Sequence, residues 1–113
     1  MLAKCYSGAV QGVDAYAVEI EVDSAKGPPQ FVIVGLPDTA VKEAKDRVWM
    51  AVRNSAFSAN ETCVTVNLAP ADVRKEGPIY DLPIAIGLLV ATKKIECSEL
   101  SNYALVGELA LSG

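Results

Sequence analysis

The residues with the greatest potential for chemistry form one run near the middle of the chain. The run consists of Lys75, Glu76, Gly77, Pro78, Ile79, Tyr80 and Asp81, here called the Gly-Pro loop. It follows a stretch that alternates like a strand and precedes an apolar stretch typical of a buried helix. The free backbone N–H groups at such a helix N-terminus can hold an anion, so active sites often lie there. Ile79, Tyr80 and Asp81 are nevertheless a poor set of groups for catalysis.

The complete absence of histidine restricts the chemistry further. Ser–His and Cys–His nucleophile pairs, imidazole metal ligands and the HExxH motif are all excluded. Covalent catalysis would need a lysine as base or another kind of nucleophile. Cys5, Cys63 and Cys97 are odd in number and widely spaced, which predicts free thiols in a reducing compartment and no zinc site.

Length and composition are typical of a globular domain with a modest core. The 113 residues are 51% apolar and 21% charged, which is ordinary for such a domain. No apolar run approaches the roughly 20 residues that span a bilayer, and the N-terminal residues lack the apolar core of a signal peptide, so a cytoplasmic location is expected. The net charge of −4 disfavours nucleic-acid binding by the isolated chain.

The apolar periodicity predicts how these residues are positioned. Strands are expected over residues 4–12, 14–23, 31–34, 63–68 and 103–108, with helices over residues 39–54 and 82–93. The order β-β-β-α-β-α-β predicts a two-layer α+β domain with both helices on one face of a mixed sheet. Residues 31–34 are apolar on both faces, which predicts a central strand. Asp38 is the expected N-cap of the first helix.

Basic residues are concentrated in the first helix and in and beside the Gly-Pro loop. They are Lys42, Lys45, Arg47, Arg53, Arg74 and Lys75. Acidic residues are interleaved with them, so the local excess of positive charge is small. Two interpretations stay open, a solvated helix face and a contact with nucleic acid or a partner. Trp49 flanks the apolar stripe of the same helix, and it either packs or contacts a ligand.

Four stretches of the chain resemble a known family. They are residues 35–43, 66–72, 75–85 and 107–113, and they are similar to the N-terminal domain of the ComM/YifB proteins, which are magnesium-chelatase-like AAA+ ATPases. The resemblance implies a Lon-protease-like fold, shared with a ribosomal-protein domain. It also implies that residues 1–113 are a single Lon-like domain and a fragment of a larger ATPase.

The same resemblance implies the setting of the domain. In this family the domain precedes an AAA+ module, full-length members are homo-hexameric motors that use ATP and magnesium, and ComM acts in DNA branch migration during competence. This chain lacks the Gly-x-x-x-x-Gly-Lys-[Ser/Thr] phosphate loop, so no cofactor is expected within it. The implied partners are the AAA+ module, further copies of the protein and, through the whole protein, DNA.

Comparison with Lon peptidases, which carry Lys-Asp-Gly-Pro-Ser-Ala-Gly in this loop, indicates a degenerate site without catalytic residues. Ile79 stands where the nucleophilic serine would be. Asp81 is expected to satisfy the free N–H groups of the helix, where its charge would repel an oxyanion. We therefore expect a non-catalytic accessory domain that serves assembly or substrate positioning. A nucleic-acid-binding module is the alternative, and a Lon-type serine peptidase is less favoured.

Two short motifs are candidate contact surfaces for that accessory role. They are Leu36–Asp38 and the Gly77-Pro78 turn. Both motifs also fit a purely structural role, as a turn and a helix cap, that requires no partner.

Overall fold

The computed structural model describes residues 1–57 and 62–113. It consists of a mixed sheet with helices packed on one face. Its strands are β1 (Leu2–Gln11), β2 (Asp14–Ala25), β3 (Gln30–Val34) and β4 (Cys63–Ala69). Its α-helices are α1 (Thr39–Lys42), α2 (Ala44–Asn54) and α3 (Asp81–Ala91), with short 3-10 helices at Pro78–Tyr80 and Leu100–Asn102. The strand order is β1-β2-β4-β3, and β3 runs parallel to β4 while the other pairs are antiparallel. The predicted two-layer α+β class is confirmed.

The opening hairpin follows the predicted alternation. Val18, Ile20 and Val22 of β2 are fully buried, because every second side chain of a strand points to the same face. They form one apolar cluster with residues of β1, β4 and all three helices. On the opposite face, Lys4 pairs with Glu19 at 3.0 Å. The sheet is therefore apolar toward the helices and polar toward solvent.

The predicted first helix is divided into α1 and α2 at Glu43. The Asp38 side chain accepts a hydrogen bond from the Val41 N–H at 2.8 Å, which confirms the predicted cap and stabilises the helix by about 1 kcal/mol. The predicted apolar stripe is buried and comprises Val41, Ala44, Val48, Ala51 and Val52. No helix within residues 1–57 and 62–113 is both long enough and apolar enough to cross a membrane.

The prediction that residues 31–34 form a central strand is wrong. Among the described residues, β3 pairs only with β4 and lies at the edge of the sheet. The crossover through α1 and α2 makes β3 and β4 parallel neighbours, and β2 occupies the other side of β4. Phe31 and Ile33 pack against the core, whereas Val34 lies on the open face with 44% of its surface exposed.

The predicted last strand, residues 103–108, is also wrong. These residues begin the C-terminal segment (residues 103–113), which makes a single parallel bridge between Tyr6 and Ala104. Gly107 then donates its N–H to Ile79 at 2.8 Å and accepts from the Leu82 N–H at 3.0 Å. These bonds draw the backbone away from β1 and across the start of α3, so pairing with the sheet does not continue.

Candidate functional site

The Gly-Pro loop joins β4 to α3 through a 3-10 turn at residues 78–80. The predicted strand, loop and helix layout is therefore present. A cavity of about 460 Å³ lies beside the loop, bordered by the β1–β2 hairpin. Ile79 is 37% exposed and lines this cavity together with Tyr16 and Tyr80. Among the described residues that line the cavity there is no serine, cysteine or lysine.

Lys75 lies inside the protein at the start of the loop, with none of its surface exposed. Its ammonium group donates to the carbonyl oxygens of Gly35, at 2.7 Å, and of Pro70. Its backbone N–H donates to Leu36, and its carbonyl accepts from Asp38, both at 3.0 Å. Burial lowers the pKa of Lys75, although the charge of Asp72 acts in the opposite direction. The side chain therefore cross-links two backbone segments.

Asp38 joins the two motifs that the sequence singled out as separate surfaces. One carboxylate oxygen accepts from the Val41 N–H at 2.8 Å, and the other accepts from the Gly77 N–H at 3.1 Å. The Leu36–Asp38 turn and the Gly77-Pro78 turn are consequently one substructure, held by a charged acceptor with two backbone donors. Such charge-assisted hydrogen bonds are stronger than neutral ones.

Tyr80 is almost completely buried, and its hydroxyl donates to the Gly8 carbonyl at 3.3 Å. The pKa of the Tyr80 phenol is raised, mainly by burial. The phenol therefore stays protonated near neutral pH, which makes it a weak nucleophile. Its hydrogen bond fixes the loop to β1 instead.

The Asp81 carboxylate does not fill the free end of α3, and that prediction is wrong. Its two oxygens accept from Nε and a terminal nitrogen of Arg47 at 2.6 and 3.0 Å. One of them also accepts from the Leu109 N–H at 3.1 Å. The C-terminal segment crosses this helix end and supplies the Gly107 carbonyl to the Leu82 N–H. The Asp81 carboxylate therefore links α3 to α2 and to the C-terminal segment.

The basic residues predicted as one contact surface are separated by the fold. The Arg47 side chain is only 18% exposed. The pKa of the Arg47 guanidinium is raised, mainly by its hydrogen bond to Asp81. Lys75 is buried, and Arg74 pairs with Glu76 at 3.6 Å. Lys42, Lys45 and Arg53 are exposed and form no ion pair with the described residues. Only these last three remain available as free cations.

Comparison with known proteins places these features in a family. A family model described as subunit ChlI of magnesium chelatase matches residues 20–113. The chain is 49% identical over 112 residues to the uncharacterized protein YifB of Escherichia coli (strain K12). It is 51% identical over 112 residues to the competence protein ComM of Haemophilus influenzae. An uncharacterized protein of Mycobacterium bovis is 42% identical over the same length.

These alignments cover 99% of this chain and 22% of each relative. The chain therefore spans about a fifth of the length of the relatives it matches. The matches include the Gly-Pro loop and the C-terminal segment, and they agree with the family that the sequence motifs predicted. This chain belongs to the ComM/YifB family of proteins related to the ChlI subunit of magnesium chelatase.

Proposed function

We propose that this chain is a non-catalytic accessory domain of a cytoplasmic AAA+ ATPase, and that it serves assembly or substrate positioning for that motor. The observation that carries the proposal is the use of the polar groups of the Gly-Pro loop within the fold. Lys75 is bound to backbone carbonyls and Asp81 to Arg47 and Leu109. A nucleophile, a base and an oxyanion site would each need such groups to face a substrate.

The cavity beside Ile79 supports a surface role over an acyl-transfer role. A peptidase would need a nucleophilic oxygen or sulfur within hydrogen-bond reach of a base. Ile79 offers neither atom, and the Tyr80 hydroxyl is bound to the Gly8 carbonyl.

The contacts of the C-terminal segment support a rigid scaffold. The segment is bound at Ile79, Leu82 and Asp81 through backbone donors and acceptors. The Asn54 side-chain amide also donates to the Leu111 carbonyl at 2.7 Å. The loop thus binds two helices and the segment into one body, and a rigid body can hold a neighbouring domain or subunit in a fixed position.

The family membership supports the wider setting of the proposal. The parent protein would be a homo-hexamer that uses ATP and magnesium in a separate AAA+ module, with DNA as its substrate. The competence protein ComM of Haemophilus influenzae, which is 51% identical, carries competence in its name. For the whole protein we propose the activity that the resemblance to this family implies, a motor that remodels DNA branches.

Deleting residues 1–113 from the parent protein tests the accessory role. Catalysis of ATP hydrolysis resides elsewhere in the proposal, so the basal ATPase rate per protomer should remain within about twofold. Hexamer formation, measured by sedimentation velocity, or the stimulation of the ATPase by branched DNA should fall by about tenfold, which corresponds to about 1.4 kcal/mol.

A matched control is the parent protein with Lys93→Met, an exposed change in the same domain beyond the end of α3 that should alter neither property. Loss of basal ATP hydrolysis on deletion would place catalysis or its support in this domain. Unchanged assembly together with unchanged stimulation by DNA would contradict the accessory role.

A further inference from the structure

The single tryptophan of the chain lies among three of the predicted basic residues that form no ion pair with the described residues, Lys42, Lys45 and Arg53. Lys45, Trp49 and Arg53 are each four residues apart on α2, so they are neighbours along one face, about 6 Å apart along the helix axis. Lys42 ends α1 just before them. Arg47 is turned away from this face toward Asp81. The positive charges of Lys42, Lys45 and Arg53 have no compensating ion pair from the described residues.

An open cavity lies beside the Trp49 ring, at the edge of the sheet. Its volume is about 250 Å³, below the roughly 300–1,000 Å³ of pockets that hold drug-sized ligands. It is lined by Pro29, Gln30, Phe31, Lys45, Asp46 and Trp49. The Phe31 and Trp49 rings meet edge to face, with centroids 6.1 Å apart and an angle of 86°. The cavity therefore suits one planar group lying against an aromatic side chain.

We propose that this face of α1 and α2 binds single-stranded nucleic acid. Lys42, Lys45 and Arg53 contact backbone phosphates, and one base enters the cavity and stacks on Trp49. Cations that follow the backbone, combined with an aromatic ring that stacks a base, are the recurring means of binding single strands with little sequence preference. The inference deepens the proposed accessory role and rests on its substrate-positioning form, because it assigns the surface that would hold a nucleic-acid substrate; the binding itself requires neither a motor nor an assembled ring.

Two features of the chain oppose a polyanion and set the expected strength of binding. The net charge is −4, and Asp46 lines the same cavity. Binding is therefore weak, with dissociation constants of about 1–100 μM at low salt. Three phosphate contacts give a slope of about −2 for the logarithm of the association constant against that of the salt concentration.

The fluorescence of Trp49 reports on the cavity directly, since no other tryptophan is present. The 113-residue chain is titrated at low salt with oligothymidylate of about 15 nucleotides, a length within the range that single-strand-binding folds cover. Inorganic polyphosphate and poly-glutamate of matched charge serve as polyanions without bases. We expect saturable quenching by the oligonucleotide, and no quenching by either polyanion.

Variants separate stacking from charge, with affinity measured by the anisotropy of a labelled oligonucleotide. Trp49→Leu should weaken binding by roughly 5- to 150-fold, the usual range for one stacked base, and Trp49→Phe should retain most of the affinity. Lys45→Glu should weaken binding by about tenfold or more, whereas Asp46→Asn should tighten it several-fold. Lys93→Glu makes the same charge change beyond the end of α3 and should have little effect. Urea unfolding of each variant verifies that it remains folded.

Several results would overturn this proposal. They are the absence of quenching at low salt, equal loss of affinity with Lys93→Glu and Lys45→Glu, and unchanged affinity with Trp49→Leu. Quenching by poly-glutamate equal to that by the oligonucleotide would indicate an acidic protein partner instead. None of these results alters the outcome of deleting the domain from the parent protein, so the two proposals fail independently.

Discussion

Arg47→Met is expected to destabilise the fold by about 3–5 kcal/mol. The substitution keeps the apolar stem of the side chain and removes both hydrogen bonds to Asp81. The Asp81 carboxylate, which has no exposed surface, would then keep only the Leu109 N–H. An uncompensated buried charge is costly because the protein interior cannot replace the lost hydration.

The free energy of unfolding in urea measures this effect. Arg53→Met is the matched control, since it makes the same change on the same helix at an exposed site and should cost less than about 0.5 kcal/mol. The double variant Arg47→Met with Asp81→Leu should recover a large part of the loss, because no unpaired charge remains. Equal effects of Arg47→Met and Arg53→Met would show that the Arg47–Asp81 pair contributes nothing.

Gly35→Ala is expected to destabilise the fold by about 3–6 kcal/mol. Gly35 follows β3 with φ of +110°, a conformation that side chains disfavour. A Cβ atom there would lie 2.0 Å from the carbonyl oxygen of Leu68 in β4. Backbone atoms cannot rotate away as a side chain can, so β4 would have to move. The Gly35 carbonyl that accepts from Lys75 would be displaced as well.

Gly12→Ala is the control that shows how much of the Gly35→Ala effect comes from the steric clash and how much from the positive φ. Gly12 has φ of +64°, and a Cβ atom there would meet no heavy atom within 4 Å. It should therefore cost only about 1–2 kcal/mol, the usual penalty for a left-handed conformation. Urea unfolding of both variants gives the comparison. If Gly35→Ala were no more destabilising than Gly12→Ala, the close approach of Gly35 to Leu68 would be refuted.

Features that depend on neighbouring residues could be predicted from the sequence. The alternation in β2 and the apolar stripe of the first helix each follow from a short-range period. The cap at Asp38 follows from its position before a helical pattern, and its side chain accepts from Val41 as expected. The second contact of Asp38, to Gly77, spans 39 residues, and no local pattern indicated it.

The errors concern features that depend on distant parts of the chain. The apolar content of β3 matches a central strand, but its place in the sheet is decided by β2 and β4. Residues 103–108 have the composition of a strand, but Gly107 bonds to the start of α3 instead. The Arg47–Asp81 pair spans 34 residues. The ion pair between Arg47 and Glu43, at 3.6 Å, spans only one helical turn, and local spacing can indicate a pair of that kind.

At the candidate site, too, the residue types could be interpreted from the sequence, whereas the burial of each side chain could not. The residue types predicted a loop unsuited to acyl transfer, and this stays a prediction; the structure adds that Ile79 is exposed and Lys75 is buried. The six basic residues looked equivalent in the sequence, yet two of them are enclosed by the fold. Burial depends on which elements pack together, so the available cations around Trp49 could be identified only from the structure.

The Gly-Pro loop is a structural junction in which the carboxylates of Asp38 and Asp81 accept hydrogen bonds from backbone N–H groups. Native-state hydrogen exchange of the Gly77 and Leu109 amides tests it most directly. We expect both amides, bound to Asp38 and Asp81, to exchange with opening free energies within about 1–2 kcal/mol of global unfolding. Exchange of both amides at the rate of an unprotected loop would contradict the claim.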